Sequence, residues 1–154
     1  MKLEVLISCM RQDDLSIIHR SNVLTDVLVI NQGDGEDTIE DTVEDHCFRM
    51  ISTVERGLSK SRNMALRNAT GDICLICDDD EILFDDYEER ILKAYKEHQD
   101  ADIIAFQIDD AGKGYPRHER KLNYLSSLKI ASWQISFRRE SVLNAKIRFD
   151  ETLG

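Results

Sequence analysis

At 154 residues, with 42% hydrophobic and 32% charged side chains, the chain suits one globular domain with a substantial core and is short for two. Thirty acids against twenty Lys and Arg give a net charge of −10, which excludes non-specific nucleic-acid binding, because a phosphate backbone demands a positive surface. One proline and seven glycines exclude a flexible linker, and no stretch approaches the roughly 18 apolar residues of a membrane span.

The N-terminal run Met1-Lys2-Leu3-Glu4-Val5-Leu6-Ile7 is strand-like and unlike a signal peptide; residues 3–8 are continuous enough in apolar character to predict a central strand. Residues 13–20 predict a short helix with Leu15, Ile18 and His19 on one side. A second strand over 26–30 closes on the turn-forming Asn31-Gln32-Gly33-Asp34-Gly35. Residues 36–45 are acidic and weakly patterned, and read as loop or frayed helix, before a third strand over 48–54. Gly57-Leu58-Ser59 opens a helix to about residue 69, with Leu58, Ala65, Leu66 and Ala69 on one face and Thr70-Gly71 at its end. The fourth strand is 73–77. Asp86 and Glu89 have capping-box spacing and start a helix to about residue 98, whose stripe is Tyr87, Ile91, Ala94 or Tyr95, and His98. A fifth strand covers 101–108.

Strands alternating with helices over about 110 residues predict an α/β fold with a mostly parallel, doubly wound central sheet flanked by helices. The remainder changes character: a loop at 112–116, a basic irregular stretch at 117–124, a strand over 132–138 and a helical turn over 139–144, expected as a second, smaller layer. Cysteines lie at 9, 47, 74 and 77. Inside a strand the C-x-x-C side chains of Cys74 and Cys77 point to opposite faces, which predicts buried structural thiols in a reduced, cytoplasmic-type protein.

Chemistry concentrates in two places. Asp78-Asp79-Asp80-Glu81 follows directly on Ile73-Cys74-Leu75-Ile76-Cys77. Four adjacent carboxylates repel one another and are tolerated when solvated or when they share a cation. A buried parallel strand delivers them to the carboxyl edge of the sheet, where ligands of open α/β folds bind. Hard oxygen donors suit Mg2+ or Mn2+, with a phosphate completing the coordination. The competing reading is a solvated acidic loop leading into a helix capped through Asp85 and Asp86. About twenty residues earlier, Gly57-Leu58-Ser59-Lys60-Ser61-Arg62-Asn63 presents a helix N-terminus with unpaired N–H groups and a positive dipole end. Arg62 adds a planar fork of donors for a phosphate or a base edge. Taken alone, the same residues read as a Ser59 cap and a surface ion pair.

Other candidates carry less. His19, His46, His98 and His118 show no metal spacing. Trp133, Tyr115 and Tyr124 suit either the core or stacking on an acceptor sugar. Lys113, Arg117, Arg120 and Lys121 form a basic patch that suits a solvated loop, an anionic or lipid-diphosphate acceptor, or a membrane surface.

The stretch Glu55-Arg56-Gly57-Leu58-Ser59-Lys60-Ser61-Arg62-Asn63-Met64-Ala65-Leu66, then Ala69-Thr70-Gly71-Asp72, then Asp78-Asp79-Asp80, resembles the family 2 glycosyltransferases of the GT-A fold. Their recurring pattern is a G-L-S-x-x-R-N helix start, a helix ending in a-x-G-D, and a strand closing on D-x-D. Phe137-Arg138-Arg139 and Phe149-Asp150-Glu151-Thr152-Leu153-Gly154 resemble that family's "fR" and "FDE-x-x-G" segments.

The resemblance implies a GT-A, Rossmann-like nucleotide-diphospho-sugar transferase over a single domain, 1–154. Residues 1–110 would be its nucleotide-sugar-binding half and 111–154 the start of the acceptor-side half. It further implies inverting transfer of a sugar from a nucleotide-diphosphate donor, a UDP-sugar, to an acceptor hydroxyl. The acceptor would be a saccharide or lipid-linked molecule of bacterial polysaccharide or lipopolysaccharide assembly. The expected location is the cytoplasm, at the inner face of the membrane where association is peripheral. Asp78 is expected to face the donor's ribose or the metal, Asp80 to be the principal ligand of Mn2+ or Mg2+, and Asp79 to stand between them at the donor. Arg62 is expected at the base or diphosphate, with Asn63 bracing the loop.

Two departures from the family pattern matter. Where many relatives have D-D-G-S, this chain has Asn31-Gln32-Gly33-Asp34, so an amide of Asn31 or Gln32 is expected to read the base edge. The family's general base sits in an E-D pair beyond FDE-x-x-G, whereas this sequence stops at Gly154; Asp150 and Glu151 belong to the preceding segment. No catalytic base is therefore assigned, and the alternative expectation is a nucleotide- and metal-binding module without turnover. A phospho-receiver domain fits less well. Asp13-Asp14 loosely meets its need for an early acid pair, but Asp109-Asp110 stands where its Lys should follow the fifth strand.

Overall fold

The computed structural model describes residues 1–107 and 114–153. In chain order the elements are β1 (Leu3–Met10), α1 (Ser16–Arg20), β2 (Asp26–Gln32), β3 (Asp37–Val43), β4 (His46–Thr53), α2 (Leu58–Asn68), β5 (Ile73–Asp78), α3 (Tyr87–Glu97), β6 (Ile103–Ala105), α4 (Tyr124–Ser127), β7 (Ile135–Arg138) and α5 (Arg139–Asn144), with a 3-10 turn at Ser132–Gln134. The strands form one sheet in the order β3-β4-β2-β1-β5-β7-β6. Strands β1, β2, β4 and β5 run parallel, while β3 and β7 run against their neighbours.

β2 and β5 carry uninterrupted apolar runs, and β1 is apolar but for Glu4 and Ser8, because helices cover both faces of the sheet. Alternation then divides their side chains between two cores. Leu3, Val5, Ile7, Val27, Val29, Leu75 and Cys77 meet Ile17 and Ile18 of α1 and Tyr87, Ile91 and Tyr95 of α3. Leu6, Leu28, Ile30, Cys74 and Ile76 meet Ala65, Leu66 and Ala69 around α2 and Val142 of α5. Cys74 and Cys77 thus lie in opposite cores as their spacing predicts, and all four cysteines are free.

Several expectations change. Residues 36–45 are not loop or helix: most of them form β3, in an antiparallel hairpin that pairs Val43 with His46 around Glu44-Asp45. β3 is an edge strand, exposed on both faces, so no apolar alternation marks it; its acids guard the open edge. The tail forms no separate layer. β7 enters the main sheet between β5 and β6, with Phe137 in the α2-side core and the buried Ser136 hydroxyl 2.9 Å from that of Tyr95. The fifth strand shortens to Ile103–Ala105, and residue 108 lies outside the described residues.

In α1 it is Ile17 and Ile18 that are buried, while His19 is exposed. Leu58 is 45% exposed; the first turns of α2 bury Ser61, Arg62 and Asn63 instead. Asp86 closes no capping box: its carboxylate accepts from Arg90 Nε at 2.7 Å, and Asp85 accepts from Asn22 Nδ2 at 2.9 Å. His98 is largely exposed, 3.2 Å from Glu119.

At the amino edge of the sheet, Glu4 is a charge buried within an apolar strand. Its carboxylate accepts from Arg49 Nη2 at 2.8 Å and from the backbone N–H groups of Thr70 and Gly71 at 2.6 and 2.8 Å. Gly71 must be glycine there, since a Cβ would stand 2.6 Å from Glu4 Cβ and 3.0 Å from Glu4 N. The Thr70-Gly71 stretch therefore does more than end α2: it docks the β5 entry onto β1.

Candidate functional site

The four parallel strands all end on one edge, and the candidate residues gather there. Ser8 of β1 pairs in register with Asp78 of β5, Asn31 and Gln32 end β2, and α2 starts just beyond β4. Asn31 and Gln32 are the last residues of the strand, not a turn. The chain enters α2 through Gly57 at φ 115°, a left-handed conformation that a Cβ would strain.

Arg62 is the centre of the site. Its Nη2 donates to Asp78 Oδ1 at 2.9 Å, with the two side chains 10% and 29% exposed. The guanidinium also lies over the Phe149 ring, 5.6 Å from the centroid. The space behind it, lined by Leu6, Ser8, Ala65, Leu66 and Ile76, is too tight for a water molecule. Arg62 Nε is buried without a partner. The surface ion pair of the competing reading is thus a largely buried one, in which the cation aims the first acid of the triplet. Ser59 provides no side-chain cap to α2.

Asn63, the next residue, faces the other way along the same edge. Its Nδ2 donates to Phe149 O and Glu151 Oε1, both at 2.9 Å, and its Oδ1 accepts from Phe149 N at 2.8 Å. Asn63 is expected to brace the loop beside it; the structure instead ties it to the FDE segment. Asp150 accepts from Thr152 N and Oγ1, which holds its carboxyl below the usual range.

Asp79 and Asp80 follow in an exposed turn. Glu81 folds back to accept from Asp78 N at 2.6 Å. Burial pushes its carboxyl up; the Asp78 N–H and the Cys77 thiol oppose that, and the charges of Asp78 and Asp80 add to it. Among the described residues, no three His, Cys, Asp or Glu side chains converge as a ready metal cage. Carboxylates of Asp78 and Asp80 with open positions beside them do fit Mg2+ or Mn2+, which keep waters and take phosphate oxygens.

The amides at the end of β2 are partly committed. Asn31 Oδ1 accepts from Gln12 N at 2.9 Å, while its Nδ2 donates to Gln12 O at 2.8 Å and Ser52 Oγ at 3.1 Å. Gln32 Nε2 donates to Gly57 O at 3.0 Å. Gln12 and Ser61 (the latter 2.8 Å from Ser8 Oγ) are site neighbours that no local sequence pattern marks. The Phe149 ring reaches Arg62 from far along the chain, a contact that only the folded structure brings about.

A twisted α/β sheet with this strand order and an acid turn after its fourth parallel strand defines a GT-A-type fold. The chain matches the model of glycosyl transferase family 2 over residues 6–151, and it belongs to that family. Its fold is similar to that of S. aureus TarS 1-349, with a TM-score of 0.75 and 18% identity over 99% of this chain and 51% of that one. The same TarS region in complex with UDP gives 0.76, at 18% identity and the same coverage. The mannosyltransferase PcManGT from Pyrobaculum calidifontis, in complex with GDP-Man and Mn2+, gives 0.55 at 15% identity, over 92% of this chain and 46% of that one. The chain thus spans about half the length of these structures. No curated protein sequence matches it. Among the described residues, no helix is long and apolar enough to cross a membrane.

Proposed function

We propose that this domain binds a nucleotide-diphosphate sugar, a UDP-sugar, at the carboxyl edge of β1, β2 and β5, and serves its inverting transfer to an acceptor hydroxyl. The observation that carries this reading is the largely buried Arg62–Asp78 pair at the head of an exposed acid turn where the parallel strands end. Breaking the glycosidic bond leaves its electron pair on the diphosphate, and the acceptor oxygen bonds to the anomeric carbon from the opposite side. A divalent ion, Mn2+ or Mg2+, held by Asp78 and Asp80 would neutralise that leaving charge.

In this reading Arg62 orients Asp78 through its Nη2 hydrogen bond. Asp79 stands at the donor, while Asn31 and Gln32 wall the base side and hold the 11–12 loop and Gly57 against it. Residues 1–110 form the donor half and 111–154 begin the acceptor side. The relatives that bind UDP, UDP-GlcNAc and GDP-Man support a nucleotide-sugar donor. The proposed setting is polysaccharide or lipopolysaccharide assembly, with a saccharide or lipid-linked acceptor. The acceptor's proton must pass to a base, a role that Asp150 and Glu151, each holding backbone or side-chain donors, do not suit.

Calorimetry with UDP and Mn2+ on the wild-type chain and on Asp80→Ala tests the site. The wild type is expected to bind, and the variant to lose at least roughly tenfold in affinity, as for one lost charged ligand contact. Equal binding by both proteins would remove Asp80 from the site. Transfer and hydrolysis assays with several UDP-sugars then separate an enzyme from a donor-binding module.

A further inference from the structure

The connection between β6 and β7 exposes a cluster of large apolar side chains. Tyr124, Leu125 and Leu128 are 80%, 72% and 68% exposed, and Leu122 is 42% exposed. They lie on and beside α4, whose one turn is closed reciprocally. Asn123 Oδ1 accepts from Ser126 N at 2.9 Å, and Ser126 Oγ accepts from Asn123 N at 2.8 Å. Single exposed leucines need no explanation, but four large apolar groups within seven residues do.

Charge narrows what covers them. Arg117, Arg120, Lys121 and Lys129 are all exposed around the cluster, against one acid, Glu119. Residues 117–129 are therefore net positive in a chain of net charge −10. Among the described residues, Lys121 Nζ lies 3.5 Å from Asp100, and Glu119 lies beside His98. β6 and β5 both run against β7, so the 106–134 connection begins and ends on the edge that carries Asp78. Between those ends, Glu119 and Lys121 reach His98 and Asp100 beside the start of β6, at the opposite edge.

We infer that residues 117–129 dock this chain onto an anionic lipid surface. Tyr124, Leu125, Leu128 and Leu122 enter the headgroup boundary, and the flanking Arg and Lys face lipid phosphates. Mixed apolar and basic composition is what an interfacial segment needs. Nucleic acid offers no apolar layer to the leucines, and a second copy would bring an equally positive patch to this one. The inference rests on the transferase reading only in making the acceptor lipid-linked; the docking itself does not depend on it.

The test is co-sedimentation of the full chain with phosphatidylcholine vesicles that contain or lack phosphatidylglycerol. Binding to the anionic vesicles is expected, weak on the neutral ones and lost at high salt. Each basic residue near such a surface strengthens binding roughly fivefold. Arg120→Glu with Lys121→Glu should therefore weaken it by more than roughly tenfold, as should Leu125→Asp with Leu128→Asp. Thermal melting and UDP–Mn2+ binding should stay as in the wild type; if the leucine variant melts early, the charge-reversal variant decides. No preference for anionic vesicles, wild-type binding by the charge-reversed protein, or self-association in sedimentation velocity that the variants abolish would each overturn the inference. Loss of UDP–Mn2+ binding with vesicle binding intact would instead sink the transferase reading and leave the docking surface standing.

Discussion

Removing the Arg62 guanidinium tests the site through stability as well as binding. Arg62→Ala deletes a charge-assisted hydrogen bond to Asp78, worth about 1.5–3 kcal/mol, and the contact over Phe149, worth about 0.5–1 kcal/mol. Asp78 is 29% exposed, so water relieves part of its stranded charge, and the expected loss is about 2–3 kcal/mol. For a chain of this size that lowers Tm by roughly 5–10 °C. The helix-surface pair Lys93–Glu97, at 69% and 55% exposure, is the internal control; Lys93→Ala should cost within about 0.5 kcal/mol. Urea unfolding of Arg62→Ala, Asp78→Ala and the double variant should give a coupling of about 1–3 kcal/mol. In the same variants, the Tm rise produced by UDP with Mn2+ should shrink or vanish. A coupling within error of zero, with ligand stabilisation intact in Arg62→Ala, would mean that Arg62 does not position Asp78, and the account of the site would fail.

Three further outcomes follow from particular contacts. Asn63→Ala should free the Phe149 amide, whose N–H now bonds to Asn63 Oδ1; hydrogen exchange at 149–151 should accelerate while the β1 and β5 amides stay protected. Gly71→Ala should cost about 2–3 kcal/mol in denaturant unfolding, because the new Cβ meets the β1 backbone at Glu4 and not a flexible side-chain end. Thiol reagents should modify Cys47 first, at a rate that climbs with pH, and reach the other three cysteines only on unfolding. Burial raises the Cys9 thiol to about 12 and pushes Cys74 and Cys77 up as well, so little thiolate exists there near neutrality. Four rapidly titrating thiols in the folded protein would contradict this packing.

What could be read before folding, and what could not, divides along physical lines. β2 and β5 announce themselves because burial on two faces leaves short uninterrupted apolar runs, β1 does so despite Glu4, and the acids after β5 stand out against such a run. β3 does not, since an edge strand exposed on both sides has no face to encode. A four-residue strand such as β7 carries its own alternation but no record of its neighbours, so its place between β5 and β6 is visible only in three dimensions. Glu4 is hidden for the same reason: its partner Arg49 is 45 residues away, and within its own strand it reads as a polar interruption.

Arg62 and Asn63 show why the start of α2 misleads a periodicity argument. Helical spacing asks for an apolar stripe that begins at Leu58, yet Leu58 is exposed and the polar triplet Ser61-Arg62-Asn63 is buried. The exception makes physical sense once each side chain is followed to its partner. Ser61 holds the end of β1 through Ser8, Arg62 reaches the acid turn after β5, and Asn63 closes on residues 149–151, far along the chain. Each buried polar group is matched by a bond that ties α2 to a different segment, so the helix start acts as a junction and not as a packing face. A local rule broken in this way, with compensation for each breach, is where a functional site is to be sought. The one group in the triplet left incompletely matched is Arg62, whose Nη2 reaches Asp78 while its buried Nε has no partner.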